Sequence, residues 1–263
     1  MANRTRSGNI PTLMERATLI ARKEGLSSLL SLGLQKTPLR RLMISAAASE
    51  MRKRASQIRG PQNALAFALS FKQMGISIKP LQVREEIAKL LDLLAARPPR
   101  NVLEIGTANG GTLFLFAQVA AEDSTVMSLD LPGGRFGGGY PEWKMSLYRA
   151  FAKSPKQRIR LLRENSHEQS TLEKVRGILG ENELDFLFID GDHTHEGVKR
   201  DFEMYSGLVR RGGLIGFHDI VVHPPEARCE VNRFWNEVKT SHQHVEFVKD
   251  WNQKWAGIGV LYA

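Results

Sequence analysis

From residue 101 onward, short apolar runs alternate with segments of helical periodicity, and this alternation constrains the fold more than any other feature of the chain. Asn101–Gly106 (NVLEIG), Thr125–Asp130, Arg158–Leu162, Leu184–Asp190 (LDFLFID) and Gly213–Asp219 (GLIGFHD) read as five strands. Thr112–Ala121, Glu142–Phe151, Gln169–Leu179 and Glu196–Val209 read as the helices between them. Strands that are apolar throughout and separated by helices predict an α/β domain with a parallel sheet covered on both faces. Val231–Lys239 reads as a further helix. Val245–Lys249 and Gly257–Tyr262 then follow as two strands with no helix between them. Such a pair is hairpin-like, so one of the two has to run antiparallel.

Upstream the pattern differs. Val83–Ala96 predicts an amphipathic helix with Ile87, Leu90, Leu91 and Leu94 on one face, ended by Pro98-Pro99. Residues 11–75 are helix-like, with Leu39–Ile58 and 62–74 as separate helices and no strand signal before residue 100.

Charge divides the chain at the same place. The net charge is +9. Residues 1–60 hold twelve Lys and Arg against only Glu15, Glu24 and Glu50, whereas residues 61–263 hold 25 of each sign. A basic helical segment, 1–78, is therefore expected to precede a neutral body, 79–263. Nucleic acid is not expected as a partner, because no aromatic residue for base stacking occurs before Phe67. The basic segment could be a solvated cap, an oligomerisation element, or a surface for anionic lipid. With one cysteine, Cys229, no intramolecular disulfide can form, and no run of about 18 apolar residues is present. The N-terminus lacks the apolar core of a secretory signal, so a cytoplasmic protein is expected, with peripheral membrane contact as an added option.

The first strand leads into Glu104-Ile-Gly-Thr-Ala-Asn-Gly-Gly111, a turn that lets a ligand approach the backbone and presents helix N–H groups. Asp130 ends the second strand, where an acid commonly meets ribose hydroxyls. Glu104, Asp130 and Asp190 crowd the carboxyl ends of neighbouring strands. Their charge would repel a pyrophosphate and attract an ammonium and a sulfonium, which favours S-adenosylmethionine over a nicotinamide dinucleotide. Glu104 could equally be a structural acid pairing with turn amides.

Strand four ends in Asp190-Gly-Asp192-His193-Thr-His195-Glu196, and strand five ends in His218-Asp219. Side by side, these groups call for a cation or shared protons. Asp190 and Asp219 offer hard oxygens suited to Mg²⁺ or another divalent ion. His218 is a further ligand or a prop for Asp219, and His193 is the candidate general base. Asp192 is expected to cap the following helix, and His195 to be a solvated loop residue.

At these residues the sequence resembles class I S-adenosylmethionine-dependent methyltransferases. The nearest likeness is to the small-molecule O-methyltransferase branch that includes macrolide-sugar methyltransferases and cephalosporin-hydroxylase-like proteins. The resemblance rests on EIGTANGG, Asp130 and FLFIDGDHTHEGVKRDFEMYSGLVRRGGLIGFHDI, and covers roughly residues 80–263. It implies a Rossmann-like seven-stranded, mostly parallel sheet with the last strand antiparallel. It implies that Gly106 and Gly110 meet the methionine part of the cofactor, with Thr107, Ala108, Gly111 and Thr112 in the same turn. Asp130 would bind the ribose and Ser166 would lie near the adenine. Asp190 and Asp219 would hold Mg²⁺, and His193 would act as base. Position 108 is Ala where the family usually has Gly. The implied reaction is methyl transfer to a hydroxyl of a sugar or natural product, in a homo-oligomer. A hydroxylase or NAD-dependent oxidoreductase on the same fold, and a non-enzymatic lipid- or RNA-binding protein, are the alternatives.

Two loops are expected to border the substrate. One is Leu131–Trp143, whose glycines suggest a lid, with Tyr140 or Glu142 entering the site. The other is Val221–Cys229. Trp143, Trp235, Trp251 and Trp255 are expected in core or rim packing rather than as sugar platforms.

Overall fold

A computed structural model describes residues 39–133 and 139–263. Seven strands form one sheet: β3 (Asn101–Ile105), β4 (Thr125–Leu129), β5 (Arg158–Leu162), β6 (Leu184–Ile189), β7 (Val209–His218), β8 (His244–Phe247) and β9 (Ile258–Tyr262). Their order is β5-β4-β3-β6-β7-β9-β8. Pairings from β5 through β7 are parallel. β9 runs antiparallel to both β7 and β8. The chain starts at β3, walks outward to β5, then returns to place β6 on the other side of β3. The crevice at the carboxyl ends of β3 and β6 is therefore a topological switch point, where open α/β sheets bind ligands.

The period of two along each strand sends alternate side chains to opposite faces. Val102, Phe186, Phe188 and Val260 join one core. Leu103, Ile105, Leu187, Ile189 and Leu261 join the other. The first face is covered by α1 (Leu39–Ala55), α2 (Pro61–Ser70), α3 (Arg84–Ala96), α4 (Gly111–Val119) and α5 (Met145–Arg149). The second is covered by α6 (Gln169–Leu179), α7 (His195–Tyr205) and α8 (Val231–Val238). Phe116 of α4 wedges edge-on between Phe186 and Phe188, with centroids 5.2 and 5.1 Å away. Such a pair of contacts adds specific geometry to the burial of three large rings.

The described part of the basic segment is no loose tail. Met51, Ala47 and Ala55 of α1 and Ala64, Leu65 and Ala68 of α2 are fully buried in the first core. Small residues let both helices approach closely, and basic side chains take the outer face. The helices expected across residues 11–38 lie outside the described residues.

One expectation fails here. A short hairpin, β1 (Lys72–Gln73) and β2 (Ile76–Ser77), precedes residue 100. Helix α2 ends at Ser70, and Met74 and Gly75 both take positive φ, 49° and 76°. Two such residues in a row make the tight turn that matches strand twist. A single glycine after a helical run gave little sign of it. The helix predicted from Glu142 also opens as a 3-10 turn, Glu142–Lys144, before α5 begins.

Trp235 of α8 is fully buried and donates its indole N–H to Glu246 Oε1 at 2.6 Å. Its ring lies flat against Gly259 of β9, where a built Cβ would come within 2.6 Å of the ring. Gly259→Ala is therefore expected to cost about 1–3 kcal/mol through overpacking. Chemical denaturation should show it as a lower midpoint with an unchanged slope. An unaltered midpoint would mean the helix can shift to admit a methyl group.

Candidate functional site

A cavity of about 360 Å³ opens at the switch point. Its walls are the turn after β3, the ends of β4 and β6, the Glu164–His167 loop after β5, and the Lys79–Gln82 segment.

The turn is held from below and from both sides. Gly106 has φ of +90°, and a Cβ there would stand 2.0 Å from the Asp190 carbonyl oxygen. Only glycine permits that approach. Gly110, φ +80°, opens α4, and a Cβ on it would strike the Tyr148 ring. Gly111 is pressed against the backbone of Ile78 and Pro80. Asp130 Oδ2 accepts hydrogen bonds from the amides of Thr107 (3.0 Å) and Ala108 (2.7 Å). The usual glycine at 108 is not needed for space, since Ala108 adopts φ of 44° under this clamp.

Glu104 takes a different place from the one expected. It is wholly buried beneath the turn and does not line the cavity. Its Oε2 accepts from Thr107 Oγ1 at 2.7 Å, and Thr107 Oγ1 lies 2.7 Å from Ser128 Oγ. Its partners are hydroxyl groups rather than turn amides. Burial pushes its pKa up to about 8, outweighing the hydrogen bonds from Thr112 and Thr107. Near neutral pH it is thus an uncharged hydrogen-bonding post. Gly110 also lies off the cavity wall, whereas Gly106, Thr107, Ala108, Gly111, Thr112, Asp130, Ser166 and Asp190 line it.

The strand-end acids and histidines do converge. His218 Nδ1 lies 3.2 Å from both Asp190 Oδ1 and Asp219 Oδ1. His193 sits between the same two acids, with Nε2 3.6 Å from Asp190 Oδ1 and Nδ1 3.5 Å from Asp219 Oδ2. His193 faces the cavity, while His218 and Asp219 stand behind it. Burial alone would lower the His218 pKa, but the two carboxylates reverse this and hold it well above the usual imidazole value. Burial likewise would raise Asp219, yet the His218 charge and its hydrogen bonds keep it well below the carboxylate range. His193 is shifted upward, since Asp190 and Asp219 outweigh its desolvation. Asp219 occupies the left-handed region at φ 64°, a strain held in place by its acceptance of the Ala256 amide at 3.1 Å.

Several residues join this site that sequence reasoning did not single out. Gln82 donates to Asp190 Oδ2 at 3.0 Å. It lies in an extended connector whose composition carries no signal. His223 Nε2 lies 3.2 Å from Asp219 Oδ1. Cys229 joins His193 and Asp219 in a group whose ligand atoms all fall within 4.8 Å of one another, and Asp190, His218 and Asp219 form a second such group. Both residues come from the 221–229 loop expected to border the substrate. His167 lines the cavity, with Nε2 3.3 Å from the fully buried Asp201 Oδ1 of α7. The Asp201 carboxylate raises His167.

Three expectations need correction. Asp192 does not cap α7. Thr194 does, its Oγ1 accepting from the Gly197 amide at 3.0 Å, while Asp192 steadies Thr194. His195 is not in a loop; it begins α7 and its Nε2 contacts Glu237 at 2.9 Å. Of the tryptophans expected in core or rim packing, Trp235 is buried in the core, and Trp251 and Trp255 are exposed at 55% and 46%. The lid expected over Leu131–Trp143 falls partly outside the described residues, at 134–138. Tyr140, rather than entering the site, is buried against Tyr148 with ring centroids 4.8 Å apart.

The buried acid under the turn makes a testable statement. A carboxyl whose folded pKa lies above its unfolded value binds an extra proton in the native state, so it loses stability as pH rises between the two values. The window here runs from about 4.5 to about 8. Melts across that range should show a loss with rising pH that is absent in Glu104→Gln. Parallel curves for the two proteins would mean that Glu104 is ionised throughout.

The comparisons agree with this geometry. A family model described as a methyltransferase domain matches residues 103–220. The fold resembles the O-methyltransferase of Bacillus cereus in complex with SAH, with a TM-score of 0.52 at 16% identity over 77% of this chain and 90% of that one. It also resembles cofactor-bound Rv0187 from MTB, with a TM-score of 0.52 at 19% identity over 97% of this chain and 98% of that one. The uncharacterized protein y4gI of Sinorhizobium fredii is 28% identical over 174 residues, 65% of this chain. The matched segments span under a fifth of the length of the curated relatives, 18% of that protein and 17% of an uncharacterized mimivirus protein, R132. Residues 103–220 thus match the methyltransferase-domain family model and lie within a Rossmann-like sheet of seven strands.

Proposed function

We propose that this chain is an S-adenosylmethionine-dependent O-methyltransferase acting on a hydroxyl of a small molecule, with residues 79–263 as the catalytic unit and a sugar or natural product as the substrate class. The observation that carries this reading is the charge of the cavity wall. Among the described residues, Asp130, Glu164, Asp190 and Asp192 line it against one cationic side chain of the Lys or Arg type, Lys79. A dinucleotide would bring a pyrophosphate to that wall, whereas S-adenosylmethionine brings a sulfonium and an ammonium. The same observation disfavours the oxidoreductase alternative.

The roles follow from position. The backbone at Gly106, with Thr107, Ala108, Gly111 and Thr112, receives the methionine end of the cofactor. Asp130 Oδ2 is committed to the turn and the Gly139 amide also bonds the carboxylate, so its remaining acceptor capacity is what would meet a ribose hydroxyl. Ser166 and His167 border the far end of the cavity, where the adenine belongs. Methyl transfer is an in-line displacement, so alignment of the hydroxyl and removal of its proton are the protein's main tasks. His193 is the proton acceptor. Asp190 and Asp219 orient its ring, and their charge stabilises the imidazolium that forms.

Asp190, His218 and Asp219 are the residues that would hold a divalent ion. Their carboxylates suit Mg²⁺, but an imidazole in the set and a thiol beside it suit a borderline ion such as Zn²⁺ better. Such an ion would acidify a hydroxyl bound to it. It would have to displace the proton that His218 shares with the two carboxylates, so its binding should weaken as pH falls.

Calorimetry with S-adenosylhomocysteine tests the reading at its base. Saturable micromolar binding, weakened at least about tenfold in Asp130→Ala, is the expected result; binding of NAD alone would sink the proposal. His193→Ala should lower turnover on the order of 100-fold, and the wild-type rate should climb with pH through a value above the usual imidazole pKa. A loss of less than about threefold would remove His193 from the role of base. If chelator-treated protein keeps full methyl transfer, Asp190 and Asp219 are not catalytic metal ligands.

A further inference from the structure

A second concave site lies on the first face of the sheet, away from the cofactor cavity. It is a groove of about 660 Å³ between α1 and the 142–149 segment, and it shares no lining residue with that cavity. Four arginines line it: Arg40, Arg41 and Arg52 from α1, and Arg149 from α5. One carboxylate, Glu142, lies among them. Its apolar lining is Ile44, Ala48, Met145 and Trp143. We propose that this groove binds a small molecule bearing a phosphate ester, gripped through its phosphate.

The first argument is charge: among the described residues of the groove, Glu142 alone stands against four arginines. Among the described residues, arginines form ion pairs at Arg54, Arg100, Arg210 and Arg233, and none of the four in the groove does so. Arg40 is held over the Trp143 ring at 5.7 Å from its centroid, which orients the guanidinium without neutralising it. Four like charges around one concavity repel each other, and a multiply charged anion relieves that repulsion.

The second argument is the chemistry of the donors. Guanidinium groups present planar forks that match phosphate oxygens two at a time. A carboxylate supplies one negative charge, whereas a phosphate monoester carries about −1.5 to −2 at neutral pH. Apolar surface beside the arginines suits the organic part of an ester rather than inorganic phosphate alone. The arginines also line a concave groove, whereas a bilayer offers its phosphates in a plane. These points favour a soluble ligand over a membrane surface.

The groove is one segment away from the catalytic turn. Tyr148 donates its hydroxyl to the Ala108 carbonyl at 2.9 Å, and Lys144 Nζ approaches Asn109 Oδ1 at 3.4 Å. Trp143 and Arg149 lie on the same short segment and line the groove. The inference does not rest on the methyltransferase reading, because none of its residues touches the cofactor cavity.

The full-length protein should be titrated calorimetrically with glycerol 2-phosphate at low salt, with glycerol, sulfate and phosphatidic acid vesicles as comparisons. The expected result is saturable binding of the ester that salt weakens, no response to glycerol, and weaker binding of sulfate. Losing two charge-assisted contacts in Arg40→Ala/Arg149→Ala should reduce affinity at least about tenfold, and Arg52→Glu should do the same by reversing a charge. Binding of S-adenosylhomocysteine should be unchanged in both variants, which also shows that they fold. Absence of ester binding, equal affinity in wild type and both variants, sulfate binding as tightly as the ester, or capture by vesicles alone would each overturn the proposal. Failure of wild-type protein to bind S-adenosylhomocysteine would count against the proposed function and leave the groove result standing.

Discussion

The carboxylate of Asp130 ties three strand ends into one object. It accepts two amides of the turn after β3 while standing at the end of β4. The same turn is pressed at Gly106 against the Asp190 carbonyl at the end of β6. Each contact constrains the others. If the turn moved outward, Asp130 would lose two amide partners in a largely buried place, at a cost of about 1–3 kcal/mol for each group left unpaired. If it moved inward, it would meet the β6 backbone. The cavity is therefore preformed by backbone geometry, and the side chains that line it are positioned as a consequence.

Behind this turn the electrostatics divide into two layers. Glu104 lies in the dry layer, surrounded by hydroxyl groups, and keeps its proton near neutral pH because nothing cationic accompanies it. Asp219 is nearly as buried and Asp190 lines the cavity, but both have imidazoles beside them that hold their pKa values below the usual carboxylate value. Two similar acids on neighbouring strands thus differ in charge because of their partners. Proton sharing among His193, His218 and the two acids gives the cluster a stable form without any ion. An ion that binds there competes with those protons.

Much of this was legible in the sequence. Four apolar runs between residues 101 and 219 became β3, β4, β6 and β7, because a fully buried strand must be apolar on both faces, whereas Arg158–Leu162 (RIRLL) became the partly exposed edge strand β5. The antiparallel final strand followed from two runs with no helix between them. Asp190, His193, His218 and Asp219 were found from their place at strand ends. What was not legible depends on contacts across the fold. Gln82 reaches Asp190 from an extended connector, His167 meets Asp201 from 34 positions away, and His223 and Cys229 arrive on a loop. None of these has a local pattern. Glu104 was placed at the right strand end, but a strand's sequence does not say how deep its last turn sits. The hairpin at 72–77 was missed because Met74 accepts a backbone conformation that its side chain disfavours.

The position of β9 has a consequence for how the molecule assembles. It is the last strand in chain order, yet it lies inside the sheet, between β7 and β8. Until it is in place β8 has no neighbour, and β7 presents a long unpaired edge of the kind that recruits other chains. Docking β9 also brings up Ala256, whose amide holds Asp219 in its strained conformation. Closing the sheet and arming the acid cluster are then the same event. A population stalled one strand short would expose the β7 edge and leave Asp219 without the Ala256 amide at the same time.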